Sequence, residues 1–273
     1  MILFPNAKIN LGLHIVSKRA DNFHDLETVF YPIPLQDAIE VIEAPPNAAQ
    51  QVEFSTSGLN VDIVPGENIC VKAYQLLKSD FPQLPPVLMH LHKVIPLGAG
   101  LGGGSSDGAF ALKLLNSKFD LDINQVQLLK YALQLGSDCP FFIFNKPSYA
   151  SGRGELLEEV NLDLSSLKIV IVNPGIHVNT GWAFSQVSPK APYSSLKDIT
   201  RKPVAQWKEW LYNDFEESVF NQYSEIAKIK RDLYEAGALY ASMSGSGSTF
   251  YGLFEKEPVL PSFPAHYFVK ILQ

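Results

Sequence analysis

Cysteine is scarce in this chain. Two residues out of 273, Cys70 and Cys139, stand far apart, which leaves no disulfide framework and no cysteine zinc site. That usage suits a reducing compartment and leads us to expect a cytoplasmic protein. Long apolar runs are also missing, and none approaches the ~20 residues of a membrane helix. Pro5 and Lys8 interrupt the N-terminus before the apolar core of a signal peptide can form. There is no basic block: 22 Lys and Arg stand against 28 Asp and Glu, a formal charge of −6. An acidic chain of this kind speaks against a nucleic-acid backbone as partner. An anionic ligand would have to be held by backbone N–H groups and a few cations. No internal repeat and no low-complexity segment occurs. A hydrophobic content of 46% with 18% charged residues is that of an ordinary globular protein of one large domain or two smaller ones.

What the chain does have is glycine in one place. Five of the eleven residues in Pro96-Leu97-Gly98-Ala99-Gly100-Leu101-Gly102-Gly103-Gly104-Ser105-Ser106 are Gly. The stretch follows a strand-like run, Leu88 to Ile95, and enters a helix-like run, Asp107 to Asn116. Glycine lets the backbone turn through positive φ and approach a ligand without a Cβ in the way. Several N–H groups can then point inward together, with the positive end of the next helix behind them, an arrangement suited to phosphate. The stretch is not a Walker A loop, since no Lys follows its last Gly. Gly98 to Gly103 reads close to G-x-G-x-x-G, a weak signal when alone. A flexible surface turn is the alternative.

Three further polar features surround this loop in sequence. From Lys8, residues Lys8, Asn10, Gly12 and His14 alternate with Ile9, Leu11, Leu13 and Ile15, which predicts a strand with Lys8 and Asn10 on one face. That face is either solvated or aims two donors at one ligand. Gly136 stops a helix over Val126–Leu135, and Ser137-Asp138 then leads into Cys139-Pro140-Phe141-Phe142, which reads as a strand. Asp138 is then a turn cap or a functional carboxylate at a junction. Ser244-Gly245-Ser246-Gly247 forms a second Gly/Ser loop before a strand over Phe250–Phe254. Elsewhere, Phe23-His24 lies at a turn, Asn68 near the start of a helical stripe (Ile69, Ala73, Leu76, Leu77), and Thr180 is positioned to cap a helix containing Phe184. Residues 55–66 and 188–202 read as loops, and Val204–Leu211 and Glu225–Ala236 as helices. His90 and His92 share a strand face without a third metal ligand nearby.

The order of these features resembles the GHMP kinase superfamily, and within it the branch acting on 4-diphosphocytidyl-2-C-methyl-D-erythritol. The residues carrying the resemblance are Pro5 to Leu11, Arg19 to His24, Pro96 to Ser106, Leu135 to Phe142, Asn173-Pro174-Gly175 and Met243 to Ser248. Each piece alone is unspecific, whereas the set spans nearly the whole chain in the expected order. The resemblance implies an α+β fold of two domains, residues 1–156 and 157–273. The first would look like the second domain of ribosomal protein S5, and the second like a ferredoxin-type sandwich. It implies transfer of the γ-phosphoryl of ATP, with Mg²⁺, to the 2-hydroxyl of that small-molecule substrate in the non-mevalonate isoprenoid precursor pathway.

By the same resemblance Asp138 takes the hydroxyl proton, with Lys8 beside it stabilising charge on the reacting oxygens. The run Pro96 to Ser106 wraps the ATP phosphates, with Asn68 near the adenine. Phe23 and Phe184 enclose the cytosine while His24 reads its edge. Asn10 and Thr180 contact the polyol or phosphates, and Ser244 and Gly245 face the substrate. Two departures stand out: Phe23 where relatives carry Tyr, and Asp107 directly after Ser105-Ser106. Asp107 either turns away from the phosphates or helps hold magnesium, for which no ligand is assigned.

Rival readings are a related kinase for mevalonate or homoserine, a nucleotide-binding module without catalysis, and a Rossmann dehydrogenase. The aromatic pair argues against the first, and Lys8 with Asp138 against the second. Against the third, the Gly run comes too late in the chain, and about twenty positions on there is no acid at a strand end, only Asp120 and Asp122 just past a helix.

Overall fold

The computed structural model describes residues 1–45, 47–59, 65–192 and 194–273. In chain order the elements are β1 (Ile2–Leu3), β2 (Asn6–Lys18), β3 (His24–Gln36), β4 (Ala38–Glu43), β5 (Val52–Gly58), α1 (Ile69–Asp80), β6 (Val87–Lys93), α2 (Gly103–Lys118), α3 (Gln125–Leu135), α4 (Cys139–Phe144), β7 (Ser148–Ser151) and β8 (Leu156–Glu159). They continue with β9 (Lys168–Asn173), α5 (Thr180–Gln186), α6 (Leu196–Thr200), α7 (Glu216–Gln222), α8 (Ser224–Glu235), β10 (Tyr240–Met243), β11 (Phe250–Phe254) and β12 (Phe268–Leu272). The fold is α+β.

Local chemistry explains most boundaries. Asn68 caps α1, its side chain accepting from Cys70 N–H at 2.8 Å. Asn124 and Gln127 form a reciprocal capping box at the start of α3, and Gly136 ends that helix. Asn179, not Thr180, caps α5 by accepting from Trp182 N–H at 2.8 Å, so Thr180 is already the first helical residue. The run after Asp138 is a helix and not the expected strand: Pro140 occupies its first turn, where a missing N–H costs nothing, and Asn145 at φ 55° ends it. Strand β5 continues to Gly58, in parallel register with β6, where a loop was expected from Ser55. Of the rest of that expected loop, residues 60–64 lie outside the described residues and Pro65–Glu67 is a short 3-10 helix; Tyr193, in the expected loop 188–202, also lies outside them. That second region also contains α6, fastened by buried Leu196 and Ile199. The helical stretch expected at 204–211 is a 3-10 helix, Val204–Glu209.

The chain divides into two compact units. The first comprises Met1–Ala7, Leu35–Leu97 and Gly102–Asn145. Its sheet has the order β1-β4-β6-β5, antiparallel except for β5 beside β6; α1 and α2 pack on it, and α3 and α4 pack on those helices.

The second unit comprises Lys8–Pro34, Gly98–Leu101 and Lys146–Gln273. It holds the sheet β2-β3-β7-β8 and the antiparallel sheet β10-β11-β9-β12. Counted from β9, the latter order is 2-3-1-4, that of a ferredoxin-type sheet, but no helix fills the connection from β11 to β12. The core of this unit gathers Val170, Val172, Phe215, Val219, Ile226, Ile229, Leu233, Met243 and Phe250. Helix α8 supplies Ile226, Ile229 and Leu233 from one stripe, as the 3.6-residue period requires. Among the described residues no helix is long and apolar enough to cross a membrane.

Candidate functional site

In the second unit, three polar features far apart in sequence lock together at Gly100. Its carbonyl accepts from Lys8 Nζ at 3.1 Å and from Ser244 Oγ at 2.8 Å. Around it, Lys8 N–H donates to Leu101 O and Thr249 N–H to Ala99 O. Asn10 N–H donates to Ser244 Oγ at 3.2 Å, and Asn10 Nδ2 to Thr28 Oγ1 at 3.0 Å. The Lys8/Asn10 face is therefore not solvated: Lys8 is 4% exposed and Asn10 2%. Gly100 has φ +78°, and a Cβ there would stand 1.9 Å from Ser244 O. Only glycine meets both conditions. The Lys8 ammonium also donates to Asn10 Oδ1 and lies 5.0 Å from the Phe30 ring centroid, a cation held over an aromatic face. Gly245 is buried at φ +58°, and Asn213 donates to Met243 O and Gly245 O, which fixes that loop from below. Nothing in the sequence around Asn213 signalled that part.

The aromatic group lies in the same unit. His24 stacks on Phe184 with centroids 5.1 Å apart and planes 17° from parallel, and Phe184 meets Phe215 edge-on. Phe23 is 54% exposed and carries the Arg153 guanidinium over its ring at 4.9 Å. The Asp21 carboxyl below this turn sits under its ordinary value. Desolvation opposes that shift, but the Phe23 N–H and the charges of Arg19 and Arg153 outweigh it. Exposed Thr180 shares a 3.0 Å hydrogen bond with Ser246.

The first unit holds the helix that receives the Gly loop. Gly102, left-handed at φ 71°, precedes α2, and the Ser106 hydroxyl is fully buried with no partner among the described residues. Asp107 is tied to β6: Lys93 Nζ donates to its Oδ2 at 2.7 Å and also to Asp37. Asp37 accepts in addition from Val94 N–H at 2.6 Å and Ile95 N–H at 2.8 Å. Burial pushes the Asp107 carboxyl up to about 8, Lys93 opposing the shift and Asp37 adding to it. This buried ion group escaped the sequence reading.

Asp138 is half-buried before α4 and makes no capping bond to that helix. Its neighbour Cys139 is no nucleophile, since burial pushes the thiol up to about 12. Among the described residues no three His, Cys, Asp or Glu gather as a metal site. His90 and His92 instead bond to Ser55 and Ser57.

Two sequence profiles match the chain: the GHMP kinases N terminal domain over residues 68–146 and the GHMP kinases C terminal over residues 195–261. The 4-diphosphocytidyl-2-C-methyl-D-erythritol kinase of Bacteroides fragilis is 54% identical over 257 residues, covering 94% of this chain and 93% of that protein. A crystal structure of a 4-(cytidine 5'-diphospho)-2C-methyl-D-erythritol kinase superposes with a TM-score of 0.78 at 30% identity, covering 93% and 90% of the two chains. A homoserine kinase from Cytophaga hutchinsonii shares the fold, with a TM-score of 0.66 at 14% identity and coverage of 98% and 95%. The chain belongs to the GHMP kinases and, among them, to the 4-diphosphocytidyl-2-C-methyl-D-erythritol kinase family.

Proposed function

We propose that this chain transfers the γ-phosphoryl group of ATP to the 2-hydroxyl of 4-diphosphocytidyl-2-C-methyl-D-erythritol, in the cytoplasm. The observation that carries the reading is the lock at Gly100. It ties the Lys8 strand, the Gly loop and the Ser244 loop into one rigid set of donors, and phosphoryl transfer needs little beyond positioning and charge stabilisation.

Asp138 is the base in this proposal. Its carboxylate stands at the junction between the Gly136-Ser137 turn and α4, where it takes the hydroxyl proton of the substrate. Lys8 stabilises charge on the reacting oxygens. The run Pro96, Leu97, Gly98, Ala99, Gly100, Leu101, Gly102, Gly103, Gly104, Ser105 and Ser106 wraps the ATP phosphates, with the N–H groups of its glycine loop and the Ser105 or Ser106 hydroxyl as donors and Asn68 on the adenine side. Phe23 and Phe184 stack on the cytosine and His24 reads its edge. Asn10, Thr180, Ser244 and Gly245 form the remaining substrate contacts. We assign the two family domains to residues 1–156 and 157–273.

Mg²⁺ belongs with ATP in this reading, but the carboxylates beside the Gly loop do not fit a resident ion. Asp37 and Asp107 are buried and bound to Lys93, so no step is assigned to protein-held metal.

The test is ADP release measured with the cytidine diphosphate substrate, mevalonate and homoserine in parallel. Turnover confined to the first supports the reading. Turnover with either of the others and none with the first rejects it.

A further inference from the structure

Two hairpin tips touch within the second unit. One is the turn from β2 to β3, which ends in Phe23. The other is the turn from β7 to β8, which carries Arg153 between Gly152 at φ +67° and Gly154 at φ +104°. Leu26 N–H donates to Gly152 O at 2.7 Å and joins the two.

The backbone of the first tip is fixed. Arg19 N–H donates to Phe23 O at 2.9 Å, Phe23 N–H donates to Asp21 Oδ1 at 3.1 Å, and Arg19 Nε holds Asp21 at 3.2 Å. These bonds set where the Phe23 Cα lies but leave the ring free to turn. A largely exposed aromatic ring has little packing to hold it in one rotamer.

Arg153 supplies what packing does not. Its guanidinium lies over the Phe23 ring, and it is itself held from behind. Glu155 accepts from Arg153 N–H at 2.6 Å through Oε2, while Glu155 Oε1 lies 3.7 Å from Arg153 Nε. One carboxylate thus steadies both the backbone and the side chain of Arg153. A planar cation on one face of a ring holds its plane while leaving the other face able to stack.

We infer that Arg153 is a positioning residue for base recognition, holding the Phe23 ring as one wall of the cytosine site. This rests on the proposal that Phe23 stacks on the base. A ring already held in its bound orientation loses less rotamer freedom when the ligand arrives, so the benefit falls on substrate affinity and not on the chemical step.

The experiment is steady-state kinetics on Phe23→Ala, Arg153→Ala, Arg153→Lys and the Phe23→Ala/Arg153→Ala double variant, each with its thermal midpoint recorded. Arg153→Ala should raise KM for the cytidine diphosphate substrate by about two- to fivefold, the range of an exposed cation–π contact. It should leave kcat and the KM for ATP unchanged. Arg153→Lys, which keeps the charge but not the plane, should recover part of the loss. The double variant should match Phe23→Ala alone, because Arg153 acts only through that ring. An unchanged KM in Arg153→Ala, or losses that multiply in the double variant, overturn the inference while leaving the base platform intact. An unchanged KM in Phe23→Ala overturns the platform, and this inference with it.

Discussion

Lys93 donates to Asp107 at 2.7 Å in a site where the two side chains are 1% and 3% exposed. Asp37 on the other side of the ammonium completes a buried group of one cation and two carboxylates. Lys93 lies at the end of β6 and Asp107 in the second turn of α2, so the group fastens the strand and the helix that flank the Gly loop. The ammonium also sits close under the loop: a Cβ on Gly103 would come within 3.5 Å of Lys93 Nζ.

Removing the cation should therefore cost much more than a surface pair would. Lys93→Met leaves Asp37 and Asp107 buried without their partner, a loss of about 3–5 kcal/mol for a broken buried pair. Thermal or denaturant unfolding checks this. A loss within the range of a surface substitution would show that the group is solvated in solution.

The same group predicts a pH dependence. In the folded chain Asp107 titrates at about 8, against its ordinary 3.8. An acid with a raised folded value binds more protons folded than unfolded, so its contribution to stability falls as pH rises from about 4 to about 8. Burial lowers Lys93, but Asp107 and Asp37 together lift it above its ordinary 10.5, so its own loss comes at higher pH, outside this window. Asp107→Asn does not titrate. The stability of the parent chain relative to Asp107→Asn should then decline steadily between pH 5 and 8.5. A difference independent of pH would contradict the assignment.

The glycines separate folding from function. Gly100→Ala meets both a left-handed backbone and the Ser244 carbonyl, and should displace the loop. Misplacement of about 1 Å at such a site costs on the order of a hundredfold in kcat/KM for ATP. Gly104→Ala meets nothing within 4 Å and lies in α2, so thermal stability should hold or rise by up to about 1 kcal/mol. Near-normal activity in Gly100→Ala would remove the lock from the account.

Sequence patterns reveal some of these relationships and conceal others, for physical reasons. The alternation from Lys8 predicts β2 because a strand sends successive side chains to opposite faces. The same alternation misses that both faces are buried, since burial depends on what packs from elsewhere. The Gly loop announces its positive φ by composition alone. By contrast, Pro140-Phe141-Phe142-Ile143 is a short apolar run with no period, and periodicity cannot separate helix from buried strand there. The Asp37–Lys93–Asp107 group has no local signature, since its members are 56 and 14 residues apart. Asn213 likewise acts on a loop 30 residues away through two carbonyls.

The central claim is that Asp138 accepts the substrate proton in a kinase for the cytidine diphosphate alcohol. The most direct measurement is kcat of Asp138→Asn at saturating ATP and substrate, beside the parent chain and with the thermal midpoint of each. The account predicts an intact fold and a kcat lower by roughly 10²–10⁴, the usual contribution of a general base. A folded Asp138→Asn that turns over at close to the parent rate would contradict it.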